Sequence, residues 1–287
     1  MKSLIRRTLG RAVQNDSIWT VLNATVIPAA EYAKWQRSTT KRQVDALLQN
    51  AITAISPELT VKHGPFAGME YPPDFAEKRS VVNAFVPKIL GSYEKEIQPI
   101  LEDACSQPYG EIVDIGCAEG YYAVGLARRI PTARVFAYDT SAEAVPLCRQ
   151  LARANKVGDR LVTGAFCDPA ALRSIPFTGR ALIISDCEGY EKELFTEEIV
   201  PFLAHHDLLI ETHDFIDIEI SPTIRQRFQD THVIRDIQSV DDIQKAHSYG
   251  YDELKGYTLA ERRILLAEHR PSIMEWFYMT PRTSRQP

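Results

Sequence analysis

Three short blocks of this chain place carboxylates at or just after apolar runs, two of them beside glycines. The first is Asp114-Ile115-Gly116-Cys117-Ala118-Glu119-Gly120, a D-x-G-x-x-x-G loop. The second is Asp139-Thr140-Ser141, which follows Val135-Phe136-Ala137-Tyr138. The third is Asp186-Cys187-Glu188-Gly189-Tyr190-Glu191 after Ile183-Ile184-Ser185, with His213 closing a later run, Leu208-Leu209-Ile210-Glu211-Thr212. A carboxylate can accept both hydroxyls of a ribose or hold an ammonium, and when burial raises its pKa it can also take a proton. An imidazole titrates near neutrality without that help. Together these residue types suit a nucleoside ligand with a charged tail and a proton transfer beside it.

The elements that must position them follow from the pattern. Ile112-Val113-Asp114-Ile115 reads as a buried strand, and Gly116 and Gly120 allow a sharp turn and a bare backbone against which a ligand can lie. Tyr121 to Ile130 has apolar residues at helical spacing and ends in Arg128 and Arg129, where the helix dipole favours cations, and Pro131 stops it. Val135 to Tyr138 is a second strand with Asp139 just beyond it. Strand, glycine loop, helix, strand and acid make the nucleotide half of a doubly wound sheet. The glycine spacing separates two ligand types. A dinucleotide fold wants G-x-G-x-x-G, whose second glycine admits a pyrophosphate. Here Gly116 and Gly120 are four apart with Glu119 between them, and a carboxylate there would repel a pyrophosphate. It tolerates or favours a methionyl ammonium or a sulfonium. The competing reading is an ordinary βα turn holding two glycines. Asp139 and the later strand-end acids favour S-adenosylmethionine (SAM), with S-adenosylhomocysteine (SAH) as product.

The alternation continues along the chain. Ser141 to Asn155 reads as a helix with Ser141 as N-cap. Arg160 to Thr163, Ala181 to Ser185 and Leu208 to Thr212 are the third, fourth and fifth strands, and His232 to Ile237 and Met274 to Met279 are the sixth and seventh. The expected fold is α/β, a doubly wound, seven-stranded and mostly parallel sheet. Ligands in such sheets bind beyond the carboxyl ends of the strands. That gathers the Asp114–Gly120 loop, Asp139-Thr140-Ser141, Ala165-Phe166-Cys167-Asp168, Asp186 to Glu191 and Glu211 to Asp214 into one region.

Residues from about Lys88 to Thr280 resemble a class I SAM-dependent methyltransferase. The block Ile183 to Glu191 resembles the "(I/V)D-x-E-G-x-E" block of the FkbM-like group, and Leu208 to His213 is similar to that group's later strand ending in an acid and a histidine. Tyr93-Glu94, in Gly91-Ser92-Tyr93-Glu94, also looks like a piece of such sequences. The resemblance implies an antiparallel hairpin for the last two strands. It also implies cofactor contacts at Tyr93, Glu94, Asp114, Gly116, Cys117, Ala118, Glu119, Gly120, Asp139, Thr140, Ser141, Ala165, Phe166 and Asp186. Many relatives place an acid directly after the third-strand glycine to meet the adenine amino group. Here that position is Ala165, and the nearest acid is Asp168.

The reaction expected is in-line methyl transfer, in which the protein supplies orientation, desolvation and, for a hydroxyl acceptor, a base. Asp186 is placed to hold the SAM ammonium or the acceptor, and Glu188 and His213 are the acceptor-side candidates. His213 is suited by its ordinary pKa to take a hydroxyl proton. Each has a structural alternative, Glu188 as a helix cap and His213 as a hydrogen-bonded framework residue. Asp186, Glu211, His213 and Asp214 offer ligands to a divalent ion, but no compact metal motif is present and no metal is expected.

Composition sets bounds. The 45% apolar and 25% charged shares are those of a soluble globule, and a net charge of −5 gives no footprint for wrapping nucleic acid. Five cysteines (Cys105, Cys117, Cys148, Cys167 and Cys187) lie at no metal spacing and read as reduced thiols, which favours a cytoplasmic location. No segment can span a bilayer: Ser17 to Ala33 is interrupted by Asn23, Pro28 and Glu31. Lys2, Arg6, Arg7 and Arg11 could line a basic amphipathic helix, although packing on the domain or on a second subunit is favoured. Residues 1–75 read as a helical extension with a hairpin over Leu59 to Tyr71, covering the acceptor or making a homodimer contact, and 76–287 as the catalytic domain. The leading function is O-methylation of a small-molecule or glycan hydroxyl. Nucleic-acid or protein methylation, and SAM binding without catalysis, are the alternatives.

Overall fold

The computed structural model describes residues 14–36, 39–77 and 84–282. The basic N-terminal helix expected around Lys2 to Arg11 lies outside them. The chain forms two compact units, Met1–Asn50 and Ala51–Pro287. In the first, helix Asp16–Val21, a π-helical turn Leu22–Val26 and helix Ile27–Gln36 follow one another, then helix Thr39–Ile55 begins. Asn15 caps the first of these, its side chain accepting the Ile18 N–H.

The second unit is built on seven strands: β1 (Glu111–Ile115), β2 (Arg134–Tyr138), β3 (Leu161–Gly164), β4 (Leu182–Ser185), β5 (Asp207–Thr212), β6 (His232–Gln238) and β7 (Glu275–Pro281). Their order is β3-β2-β1-β4-β5-β7-β6. All pairings are parallel except those of β7 with β5 and β6. Each of the seven strands read from the sequence is present, and the late antiparallel pair closes the sheet. β1, β4 and β5 are buried along their whole length, which is why they read as unbroken apolar runs rather than alternating ones. Covering helices fill both faces. One layer packs Val113, Ile183, Leu208 and Ile210 of the sheet against Leu194, Leu203, Ile224 and Phe228.

Register fixes the functional end. Ile115 pairs with Tyr138 on one side and with Ser185 on the other, so the chain leaves β1, β2 and β4 at one level. The next residues are Gly116, Asp139 and Asp186. Crossing over at β1, where the strand order reverses, opens the crevice into which these loops project.

Two segments depart from the sequence expectation. The hairpin at 59–71 is reduced to a single antiparallel bridge, Thr60 with Glu70, and it packs within the second unit. Phe66 lies 5.1 Å from the Tyr121 ring, against Gly125 of helix Tyr121–Arg129, where an added Cβ would approach Phe66 to 2.5 Å. The helix expected over Tyr93 to Ala104 starts later, as a 3₁₀ turn Lys95–Ile97 and then helix Gln98–Cys105. Glu94 breaks it by taking a left-handed conformation (φ +45°) in which its N–H donates to Glu268 Oε1 at 3.0 Å.

Candidate active site

The loop after β1 is shaped by close backbone approach. Gly116 (φ +85°) donates its N–H to the Tyr138 carbonyl at 2.8 Å, and a Cβ there would fall 1.7 Å from the Asp186 carbonyl oxygen. Ala118, also left-handed (φ +45°), turns its N–H to Asp139 Oδ2 at 2.8 Å. Asp139 Oδ1 accepts the Ser141 N–H at 2.7 Å. Each Asp139 oxygen therefore holds one backbone N–H and keeps acceptor capacity for a ribose hydroxyl. These groups border a cavity of about 320 Å³ lined by Gly116, Ala118, Asp139, Thr140, Ala165, Phe166, Asp186 and Glu188, all expected from the sequence. Tyr138, Cys187 and Tyr190 line it too. The Phe166 ring is 52% exposed and its centroid is 5.2 Å from that of Tyr190, so two aromatic faces border the cavity where a flat base can lie.

Other expected cofactor contacts sit behind this cavity rather than on its wall. Asp114 is buried, accepts the Ala123 N–H at 2.9 Å and so ties the loop to the following helix. Burial pushes its carboxyl up to about 7, against the pull of that hydrogen bond. Cys117 is buried, and Gly120 (φ +97°) leaves room for Cys148, whose Sγ would meet a Cβ at 2.7 Å. Glu119, read from sequence as facing a methionyl ammonium, is fully buried and pairs with Lys88 Nζ at 2.7 Å and the Tyr71 hydroxyl at 3.2 Å. Lys88 is itself buried and needs that countercharge. Ser141 Oγ accepts the N–H groups of Glu143 and Ala144, but helix Ala144–Ala154 begins later than expected and its N-cap position is Glu143 rather than Ser141.

Tyr93 and Glu94 line a second, polar cavity of about 110 Å³ together with Asp186, Glu188, Glu211, His213, Phe215, Glu268 and Arg270. Asp186 and Glu188 border both cavities. Arg270 pairs with Glu94, Glu211 and Glu268, and Lys245 meets Glu268 at 2.5 Å. Burial pushes Glu94 up to about 8 despite Arg270, and raises Glu211 well above the carboxylate range, with Asp186 adding to it. Glu188 has a left-handed backbone (φ +53°) ahead of Gly189 (φ +98°), and its side chain is exposed to both cavities. It does not cap the next helix, whose first turn follows Tyr190. Partial desolvation by the surrounding residues and the neighbouring Asp186 raise its pKa, while His213 opposes them.

His213 is 2% exposed. Its Nδ1 is 2.6 Å from Glu191 Oε1, and its Nε2 is 3.3 Å from Asp186 Oδ1 and 3.5 Å from Glu188 Oε2. Burial opposes its charge, yet bonding and attraction from Asp186 and Glu191 prevail and push the ring up to about 10. The ring is thus pushed above the near-neutral range expected from the residue type.

Asp186, Glu211 and His213 each present one ligand atom, all within 4.8 Å of one another. Arg270 already pairs with Glu211 and Glu191 holds His213, so cationic side chains supply the charge a metal would bring. Asp214 turns away to accept the Ser221 N–H at 2.9 Å. Tyr190 and Glu191 lie in the Asp186–Glu191 stretch that the sequence places in the site, without a role of their own, whereas Arg270 and Lys88 were not expected there. Glu191 had a signal, the last acid of the D-x-E-G-x-E block. Arg270 and Lys88 had none.

Residues 112–180 match the family described as "Methyltransferase domain", a stretch running from β1 through the glycine loop, Asp139 and Phe166 to the approach of β4. A comparison with curated proteins returns no match. Among solved structures, the chain is similar to geranyl diphosphate C-methyltransferase from Streptomyces coelicolor A3(2), with 14% identity over 74% of this chain and 83% of that one and a TM-score of 0.43. It is also similar to precorrin-6y C5,15-methyltransferase from Geobacter metallireducens GS-15, with 12% identity, 65% and 89% coverage and a TM-score of 0.42. A third, precorrin 8w decarboxylase from Methanobacterium thermoautotrophicum, shares 21% identity over 51% of this chain and 76% of that one, with a TM-score of 0.39. Likeness at this level says nothing about substrate.

Proposed function

We propose that this SAM-dependent methyltransferase places its methyl group on a hydroxyl of a small molecule or glycan. One observation carries the reading: Asp186 and Glu188 stand on the shared border of an aromatic-flanked cavity suited to the donor and a polar cavity suited to an acceptor. Asp139, Phe166 and Tyr190 would hold the ribose and adenine, and Gly116 and Ala118 would lie along the methionyl end. The donor supplies an activated methyl group on a sulfonium. The chain's residues do the rest. The acceptor cavity holds five carboxylates (Glu94, Asp186, Glu188, Glu211 and Glu268) against Arg270 and His213. Acidic side chains hydrogen-bond hydroxyls whether charged or protonated, and they outnumber the two cationic groups, so the cavity suits a neutral polyol or phenol better than a phosphate or an acid.

The finer readings go with this one. Membership of the FkbM-like group rests on the Asp186–Glu191 and Glu211–His213 blocks. A cytoplasmic location is supported by five free cysteines, and among the described residues no helix is long and apolar enough to cross a membrane. To residues 1–75 we assign the role of covering the acceptor or making a homodimer contact.

The test is transfer from methyl-labelled SAM to separate pools of neutral glycans, small polyols and phenols, amines, and anionic metabolites. Label should appear on neutral hydroxyl compounds. Label confined to amines or to anionic compounds would overturn the acceptor assignment.

A further inference from the structure

The surroundings of His213 assign the acceptor-side roles more closely, on the premise that the acceptor is a hydroxyl compound. Both ring nitrogens face carboxylates: Nδ1 meets Glu191 at 2.6 Å, and Nε2 meets Asp186 at 3.3 Å and Glu188 at 3.5 Å. A neutral imidazole carries one N–H and one bare lone pair. Either neutral tautomer would turn a lone pair of this 2% exposed ring toward a carboxylate oxygen. Only the doubly protonated ring satisfies both sides. Glu191 is fully buried at the start of helix Glu191–Leu194, and the Gly189 N–H also donates to its Oε1 at 3.2 Å, so the carboxylate is held in place. The other carboxylates and basic groups facing this cavity are Glu211 from β5, Glu94, Glu268, His269 and Arg270, which pairs with Glu94, Glu211 and Glu268.

We infer that His213 is a fixed imidazolium and not the proton acceptor, that Glu191 is the positioning residue that holds it so, and that Glu188 is the base. The imidazolium balances Asp186 and Glu191 and steers Glu188 toward the junction of the two cavities. In the step assigned, the acceptor O–H proton passes to the Glu188 carboxylate as the oxygen–methyl bond forms and the sulfur–methyl bond breaks, its electron pair staying on sulfur. Glu188 suits this task, because its side chain is 77% exposed and it is the least constrained of the three acids around the ring. Asp186 is more enclosed and Glu191 is sealed from both cavities.

The test is a ¹⁵N and ¹³C NMR titration of histidine-labelled full-length protein with SAH added, the His213 signals being identified by their loss in His213→Gln or, should that variant misfold, His213→Asn. His213 should remain doubly protonated through pH 8. In Glu191→Gln its midpoint should fall by about one to three pH units, the effect of removing an adjacent opposite charge, while Glu191→Asp should restore much of it. A wild-type His213 carrying a single ring proton at pH 7 would overturn the inference, as would a midpoint indifferent to Glu191→Gln in a folded variant. Wild-type titration alone decides the protonation state if the Glu191 variants do not fold. In the labelling assay, Glu188→Gln should slow transfer by about 10²-fold or more with SAH affinity kept within threefold. Loss of transfer in His213→Gln with full activity in Glu188→Gln would reverse the roles. Failure of wild-type protein to bind SAH would remove the methyltransferase reading and leave the histidine result standing, so the two failures are distinguishable.

Discussion

Replacing Gly116 with alanine should cripple donor binding through the backbone alone. The residue has φ +85°, and holding a residue with a Cβ in this left-handed region costs about 1–2 kcal/mol. The larger effect is steric. The new Cβ would sit 1.7 Å from the Asp186 carbonyl oxygen, and neither partner is a flexible side chain that can swing away. The ends of β1 and β4 must separate by about 1 Å or more, and misplacement on that scale can cost about 10²-fold. Gly116 also donates to the Tyr138 carbonyl, so the shift passes to the strand end that carries Asp139. Calorimetry should show SAH affinity falling by about 10²-fold, equivalent to about 2.7 kcal/mol. Gly179→Ala is the control, since a Cβ there meets nothing within 4 Å. An SAH affinity for Gly116→Ala within threefold of wild type would refute the assignment of this loop to the donor.

Three further outcomes are expected. Lys88→Met leaves the buried Glu119 without its cationic partner, and should lower stability by about 3–5 kcal/mol in denaturant unfolding, with Lys88→Met/Glu119→Leu recovering most of the loss; an undisturbed single variant would contradict the pairing. Because the folded-state pKa of His213 is raised from 6.5 to about 10, its stabilising contribution is full below the unfolded value and lost as pH rises through the folded one. The stability gap between wild type and His213→Gln should therefore shrink between about pH 6.5 and pH 10, and a gap that widens over that window would contradict the ionisation. Calorimetric titration with magnesium or manganese should show no saturable site, since Arg270 and Glu191 already engage Glu211 and His213; a site abolished by Glu211→Gln would show that metal displaces them.

The sheet and the donor side were legible because their signals are local. Strands buried on both faces read as apolar runs, and Gly116, Asp139 and Phe166 stand at the strand ends where such sheets bind ligands. The charge network was not legible. Lys88 meets Glu119, and Arg270 meets Glu94 and Glu211, across long stretches of chain, and no spacing rule brings such residues together. Glu119 and Asp114 have the right residue types in the right loop, but whether a carboxylate faces a ligand or the interior depends on a buried partner elsewhere. The ordinary pKa of histidine likewise says little at a position ringed by Asp186, Glu188 and Glu191. The interrupted helix at Glu94 has the same origin, since its N–H is claimed by Glu268 from far along the chain.

The most direct measurement is a crystal structure of the full chain grown with SAH. The ribose should lie on the Asp139 carboxylate, the adenine against the Phe166 and Tyr190 side of the cavity, and the thioether sulfur should point toward the Asp186–Glu188 border. SAH seated elsewhere, or crystals in which the pocket between Gly116 and Phe166 stays empty at saturating SAH, would contradict the account.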